Sequence, residues 1–147
     1  MTGKIVSFLC IAIVAVTSVA TAWAQQPTLY KRLGGYDAIA AVTDDLLGRL
    51  VADPQLSRFF VGLNDTSKTR IRQHFVDFLC KATGGPCVYM GQDMKTAHAG
   101  MNISETDWGA AVRDLQATLD KFKVPARERG EVLSAVSSLK PDIVHGM

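Results

Sequence analysis

The stretch DMKTAHAGMNIS, residues 93–104, decides how the chain is read. It sets His98 among small neighbours, Thr96, Ala97, Ala99 and Gly100, which let a flat group come close, and it ends on Ser104, a side chain suited to cap a helix. From Ser104 onward Trp108, Val112, Leu115, Leu119 and Phe122 recur at three- and four-residue steps, the pattern of an amphipathic helix. Back to Cys87 the chain is less regular and reads as a loop carrying about two helical turns.

A second histidine, His74, lies upstream on another helical segment. That helix is expected over 67–82, capped by Asn64-Asp65-Thr66 and stopped by Gly84-Gly85-Pro86, with Ile71, His74 or Phe75, Phe78, Leu79 and Ala82 as its inward stripe. Each histidine lies on the apolar side of its segment. The third, His145, stands beside Gly146 and Met147 at the C-terminus, where ordered chemistry is least expected.

The rest of the chain is helical in period, with no alternating strand pattern and no internal repeat. Ile39, Val42, Leu46, Leu47, Leu50 and Val51 mark a helix that follows Gly34-Gly35 and ends near Asp53-Pro54. Leu56, Phe59 and Phe60 form a short apolar link. After Pro125, Val132, Leu133, Val136, Leu139 and Ile143 mark a last helix, which Pro141 kinks or ends. The fold class is all-α, in one domain.

Residues 1–24 read as a secretory signal peptide: Lys4, an apolar run from Ile5 to Ala20, then Ala22-Trp23-Ala24 as a cleavage site. The domain is then 25–147, and the protein is exported to an expected periplasmic location with no membrane attachment after cleavage. An uncleaved anchor is the alternative, against which the Ala-x-Ala ending argues. Sixteen Lys and Arg are interspersed with fourteen Asp and Glu, so neither a nucleic-acid groove nor a polybasic membrane patch is indicated. Cys10 leaves with the signal. Cys80 and Cys87 either bridge across the glycine break, as an exported protein permits, or remain a core thiol and a loop thiol.

On residues alone, two readings of the histidines stand: hydrogen-bonded core residues, or metal ligands. Zinc wants three or four protein ligands, and no third appears at suggestive spacing. Haem needs only one or two axial imidazoles, and Phe59, Phe60, Ile71, Phe75 and Phe78 are apolar bulk for lining its slot. No Cys-x-x-Cys-His is present for covalent attachment.

Four runs in order carry a resemblance: LYKRLGG (29–35), QLSRFF (55–60), GGP (84–86) and the opening stretch 93–104. Together they resemble group I truncated haemoglobins over Leu29 to about Val144. The resemblance implies a truncated globin fold, a two-over-two helical sandwich around haem b. It implies His98 as the proximal iron ligand and Phe60 packed on the porphyrin, with Ile71, Phe75, Tyr89, Met94 and Ala97 as walls and Lys95 as a propionate partner. It also implies departures. Where many relatives carry an oxygen-bonding tyrosine this chain has Leu47, and the polar companions correspond to Ile71 and Phe75. His74 matches relatives in which a distal histidine closes the sixth iron position.

From this follows an expected function: reversible binding of oxygen, nitric oxide or carbon monoxide, in redox or oxidant defence rather than oxygen storage. Secondary nitric-oxide dioxygenase or peroxidase turnover would need an unknown electron donor, since the chain has no flavin or nicotinamide motif. The rival from another class is a haem-free helical module that uses the same slot for a lipid, a pigment or a partner helix.

Overall fold

Capping residues and glycine breaks divide the chain into short helical pieces. A computed structural model describes residues 26–146, so the expected signal peptide and Cys10 lie outside the described residues. The elements are α1 (Leu29–Arg32), α2 (Gly35–Ala52), a 3-10 turn (Ser57–Phe60), α3 (Asp65–Ala82), α4 (Met94–His98), α5 (Glu105–Lys121), α6 (Ala126–Ser137) and α7 (Lys140–Ile143). Among the described residues there is no strand, and no helix is long and apolar enough to cross a membrane.

The helix ends follow local chemistry. The Asn64 side chain accepts from the Ser67 N–H at 2.8 Å, so α3 starts two residues before the expected position. At its other end Gly84 takes a left-handed φ of +82°. The Gly85 N–H then reaches the Cys80 carbonyl at 2.8 Å and the Gly84 N–H that of Lys81 at 3.1 Å, closing a Schellman motif. Gly85 is needed for space: a Cβ there would lie 2.5 Å from the Tyr30 ring. Asp93, whose side chain accepts from the Thr96 N–H at 2.9 Å, starts α4, the helical part expected within this loop. Pro141 sits in the first turn of α7, where a missing N–H costs nothing, and α6 has already stopped at Ser137.

Packing divides into two apolar clusters. On one side, Ile39 of α2 meets Val76 and Cys80 of α3. On the other, Leu46 and Leu50 of α2 join Leu56, Ala110, Leu115, Leu119, Val124 and Val132. Helix α2 is thus shared by α3 and α5, while α4 rests on α7 and α1 on α6. The fully buried residues of α3 are Val76 and Cys80 rather than the expected stripe. That stripe is only half-buried because α3 turns it toward a cavity, so the helix has two apolar faces with different duties.

Charged ties hold the layers together. Arg32 of α1 pairs with Glu128 at 2.9 Å and with Glu131, both on α6. Asp45 of α2 takes Lys121, Arg49 and the Thr118 hydroxyl, and these partners hold its carboxyl at about 2. Asp107 of α5 is buried. It forms the capping box with Ser104, accepts from Gln55 at 2.6 Å and takes both oxygens' worth of Arg58 at 2.8 Å. Burial pushes this carboxyl up, but Ser104, Gln55 and Arg58 outweigh it and hold it at about 2. Finally, Cys80 and Cys87 are bonded to each other, with Cα atoms 5.8 Å apart, which resolves the two readings of these thiols.

Two stability predictions follow. A carboxyl held below its unfolded value stabilises the fold above about pH 4, and that contribution is lost as pH falls through about 2. Asp107→Asn should therefore lower stability at pH 7 by about 2 kcal/mol and flatten the acid loss between pH 4 and 2, read from urea curves across that range. Replacing Cys80 and Cys87 together by Ser removes a short-loop crosslink and should lower unfolding free energy by about 2–3 kcal/mol in the same assay.

Candidate functional site

The cavity beside the α3 stripe has a volume of about 1200 Å³. Its walls come from α2 (Ile39, Val42, Leu46), the 3-10 turn (Phe59, Phe60), α3 (Ile71, His74, Phe75, Phe78), the following loop (Tyr89), α4 (Met94, Ala97, His98) and α5 (Trp108, Val112, Leu115). Walls this apolar around this volume suit an apolar guest.

His98 closes α4, and its Nδ1 lies 2.7 Å from the Met94 carbonyl one turn earlier. A carbonyl can only accept, so Nδ1 carries a proton and donates, which leaves Nε2 as the ring nitrogen not engaged by the helix. The ring is half-buried on the cavity wall. The helix therefore fixes the orientation of the ring and engages Nδ1, the arrangement that metal-bound histidines use to leave Nε2 for the metal.

His74, from α3, lines the same cavity and also borders a shallow outer depression with Gln73, Asp77 and Met90. Its ring meets Tyr89 edge-on, centroids 5.9 Å apart at 78°. Burial and the charge of Asp93 push the Tyr89 phenol up, so it stays neutral. Among the described residues no group of three or more His, Cys, Asp or Glu converges as a metal cage. A metal held by these two imidazoles must bring its other donors with it, and a porphyrin supplies four.

Phe60, Ile71, His74, Phe75, Tyr89, Met94, Ala97 and His98 are thus brought to one cavity. Lys95 is not. It is exposed on α4, because a residue one position from Met94 is rotated ~100° off the face that 94, 97 and 98 share. The cation on the cavity wall is Arg70 of α3, which sequence reading missed; its position four residues before His74 is the signal that would have found it. Leu47 packs on the core while its neighbour Leu46 lines the cavity.

Residues 28–145 match the family model described as bacterial-like globin. The chain is 35% identical over 123 residues to the group 1 truncated hemoglobin GlbN of Mycolicibacterium paratuberculosis, covering 84% of this chain and 88% of that one. It is 33% identical over 141 residues to the group 1 truncated hemoglobin LI410 of Chlamydomonas moewusii, covering 89% and 81%. Among solved structures, the truncated hemoglobin of Tetrahymena pyriformis in its Fe(III) form superposes with a TM-score of 0.74 at 29% identity, over 80% of this chain and 98% of that one. The 2/2 hemoglobin of Synechococcus sp. PCC 7002 gives 0.72 at 27% identity over the same shares. With the family model matched over residues 28–145 and these identities over most of both chains, the chain belongs to the bacterial-like globin family, among the group 1 truncated haemoglobins.

Proposed function

We propose that the protein holds haem b in this cavity, with His98 as the proximal iron ligand and His74 as the ligand that closes the sixth position. The observation that carries the reading is the His98 Nδ1–H bond to Met94, which orients the ring on an apolar wall and leaves Nε2 for a metal. The group fits the residues present: flat apolar walls, two imidazoles and one cation, Arg70, suited to a propionate. When bound, haem supplies the iron that takes diatomic ligands and exchanges single electrons.

The chain's own side chains set how it is used. Met94 keeps the His98 ring oriented and makes it a better donor. Phe60, Phe75 and Phe78 exclude water. His74 competes with external ligands, so apparent affinity for oxygen, nitric oxide or carbon monoxide falls by the fraction of time its ring is away. Ile71 and Phe75 offer no hydrogen bond to a captured ligand, which favours rapid release over storage.

Redox or oxidant defence fits these properties better than oxygen transport. Turnover as a nitric-oxide dioxygenase or peroxidase requires a separate electron donor, because the sequence has no nucleotide-binding motif. Residues 1–24 support export as a signal peptide, and the Cys80–Cys87 bond suits an oxidising compartment such as the periplasm.

Purified protein should be red, and His98→Ala should lose the Soret band and retain less than a tenth of the haem. A colourless, fully folded wild type sinks the proposal in favour of a haem-free binding module. His74→Ala should convert a low-spin six-coordinate spectrum to a five-coordinate one. Ile71→Gln puts an amide donor on the wall and should slow oxygen release roughly 5- to 30-fold in stopped flow, the effect of ~1–2 kcal/mol from one buried hydrogen bond.

A further inference from the structure

His74 borders two spaces, the cavity and the outer depression, so its ring has two destinations. On the outer side Asp77 stands nearly one turn further along α3, bonded to Gln73 at 2.9 Å, and offers an acceptor to a ring that turns outward. Whatever biases this choice controls the site. That is a matter of the loop after α3, not of α3 alone.

The loop doubles back along the helix. Cys80 lies six residues beyond His74, about 9 Å along the axis at 1.5 Å per residue. The disulfide fixes Cys87 beside Cys80, and two extended residues, about 7 Å, carry the chain from there back to Tyr89. The Tyr89 ring then touches both His74 and, one turn along, Phe78, whose centroid is 5.4 Å away at 73°. Its hydroxyl is spent on the Gln92 carbonyl at 2.6 Å. Its hydroxyl end lies so close to Gly91 that a Cβ there would come within 2.3 Å of the oxygen. Ring and loop therefore lock each other, and the phenol meets His74 by ring contact, its hydroxyl being donated elsewhere.

We infer that Tyr89 is the positioning residue that keeps His74 on the cavity side, and that the Cys80–Cys87 crosslink is what holds Tyr89 there. The crosslink is a fixed brace, not a switch. Cys80 is fully buried, so attack on the more accessible Cys87 sulfur must expel a thiolate into an apolar core, a poor leaving group. An aromatic pair of this kind biases a two-state equilibrium by roughly 3- to 10-fold. The inference rests on His74 being the sixth ligand.

The test uses the ferric holoprotein with azide as the external ligand. Tyr89→Ala should speed azide association 3- to 10-fold and raise the high-spin fraction. Tyr89→Phe keeps the ring contacts and should shift both less than the Ala variant does. Replacing Cys80 and Cys87 by Ala should act in the same direction, and Tyr89→Ala should add less in that background than in wild type. In the haem-free protein the His74 Cε1–H resonance should lose its ring-current shift in Tyr89→Ala, a readout that survives if that variant binds haem poorly. Wild-type azide rates and an unmoved resonance in Tyr89→Ala, alongside faster azide binding in His74→Ala, would overturn this role for Tyr89 and leave the sixth-ligand reading intact. An unchanged spectrum in His74→Ala removes that reading and this inference with it.

Discussion

One hydrogen bond organises the site: the Nδ1–H of His98 to the carbonyl of Met94 at 2.7 Å. It exists only because α4 makes a single turn that puts those two residues four apart on one face, and that turn exists because Asp93 caps it. The contact of α4 with α7 and the backbone bonds from His145 and Gly146 to the Ile103 carbonyl hold the segment from behind. A small helix, too short to be stable alone, thus holds one imidazole ring in a fixed orientation. The third histidine of the chain serves this purpose through its backbone.

The rest of the fold keeps a large cavity open without collapsing onto it. Two apolar clusters, rather than one, let α2 pack on α3 and on α5 while the other faces of α3 and α5 stay turned to the cavity. Ion pairs and hydrogen bonds also span the layers. Arg32 bridges α1 to α6, Asp45 bridges α2 to α5, and Asp107 anchors the segment leading to Phe59 and Phe60. Arg58 lies outside over the Phe59 ring, its guanidinium 4.5 Å from the centroid, so one side chain ties the buried carboxylate to the aromatic wall.

Much of this was legible as pattern. The helix over 67–82, the glycine stop at 84–86, the Ser104 cap and the all-α class follow from periodicity and turn chemistry, which act locally. His98 and His74 stood out because each interrupts an apolar face. Lys95, expected as a propionate partner, lies exposed on α4 and off the cavity lining, because it is one position from the face that Met94, Ala97 and His98 share. Arg70 was overlooked because an exposed arginine in a polar stretch looks like any solvated charge. The role of Asp107 was hidden as well, since its partners Gln55 and Arg58 are about fifty positions away.

Sequence by itself determined where helices start and stop and which faces are apolar, because caps, glycines and 3.6-residue periods are properties of neighbours in the chain. Tertiary structure alone decided which apolar face packs and which stays open, that Cys80 and Cys87 join, and that Tyr89 comes to rest against His74. Those outcomes depend on distances between residues brought together by folding, and a linear pattern carries no information about which of two apolar faces another helix will cover.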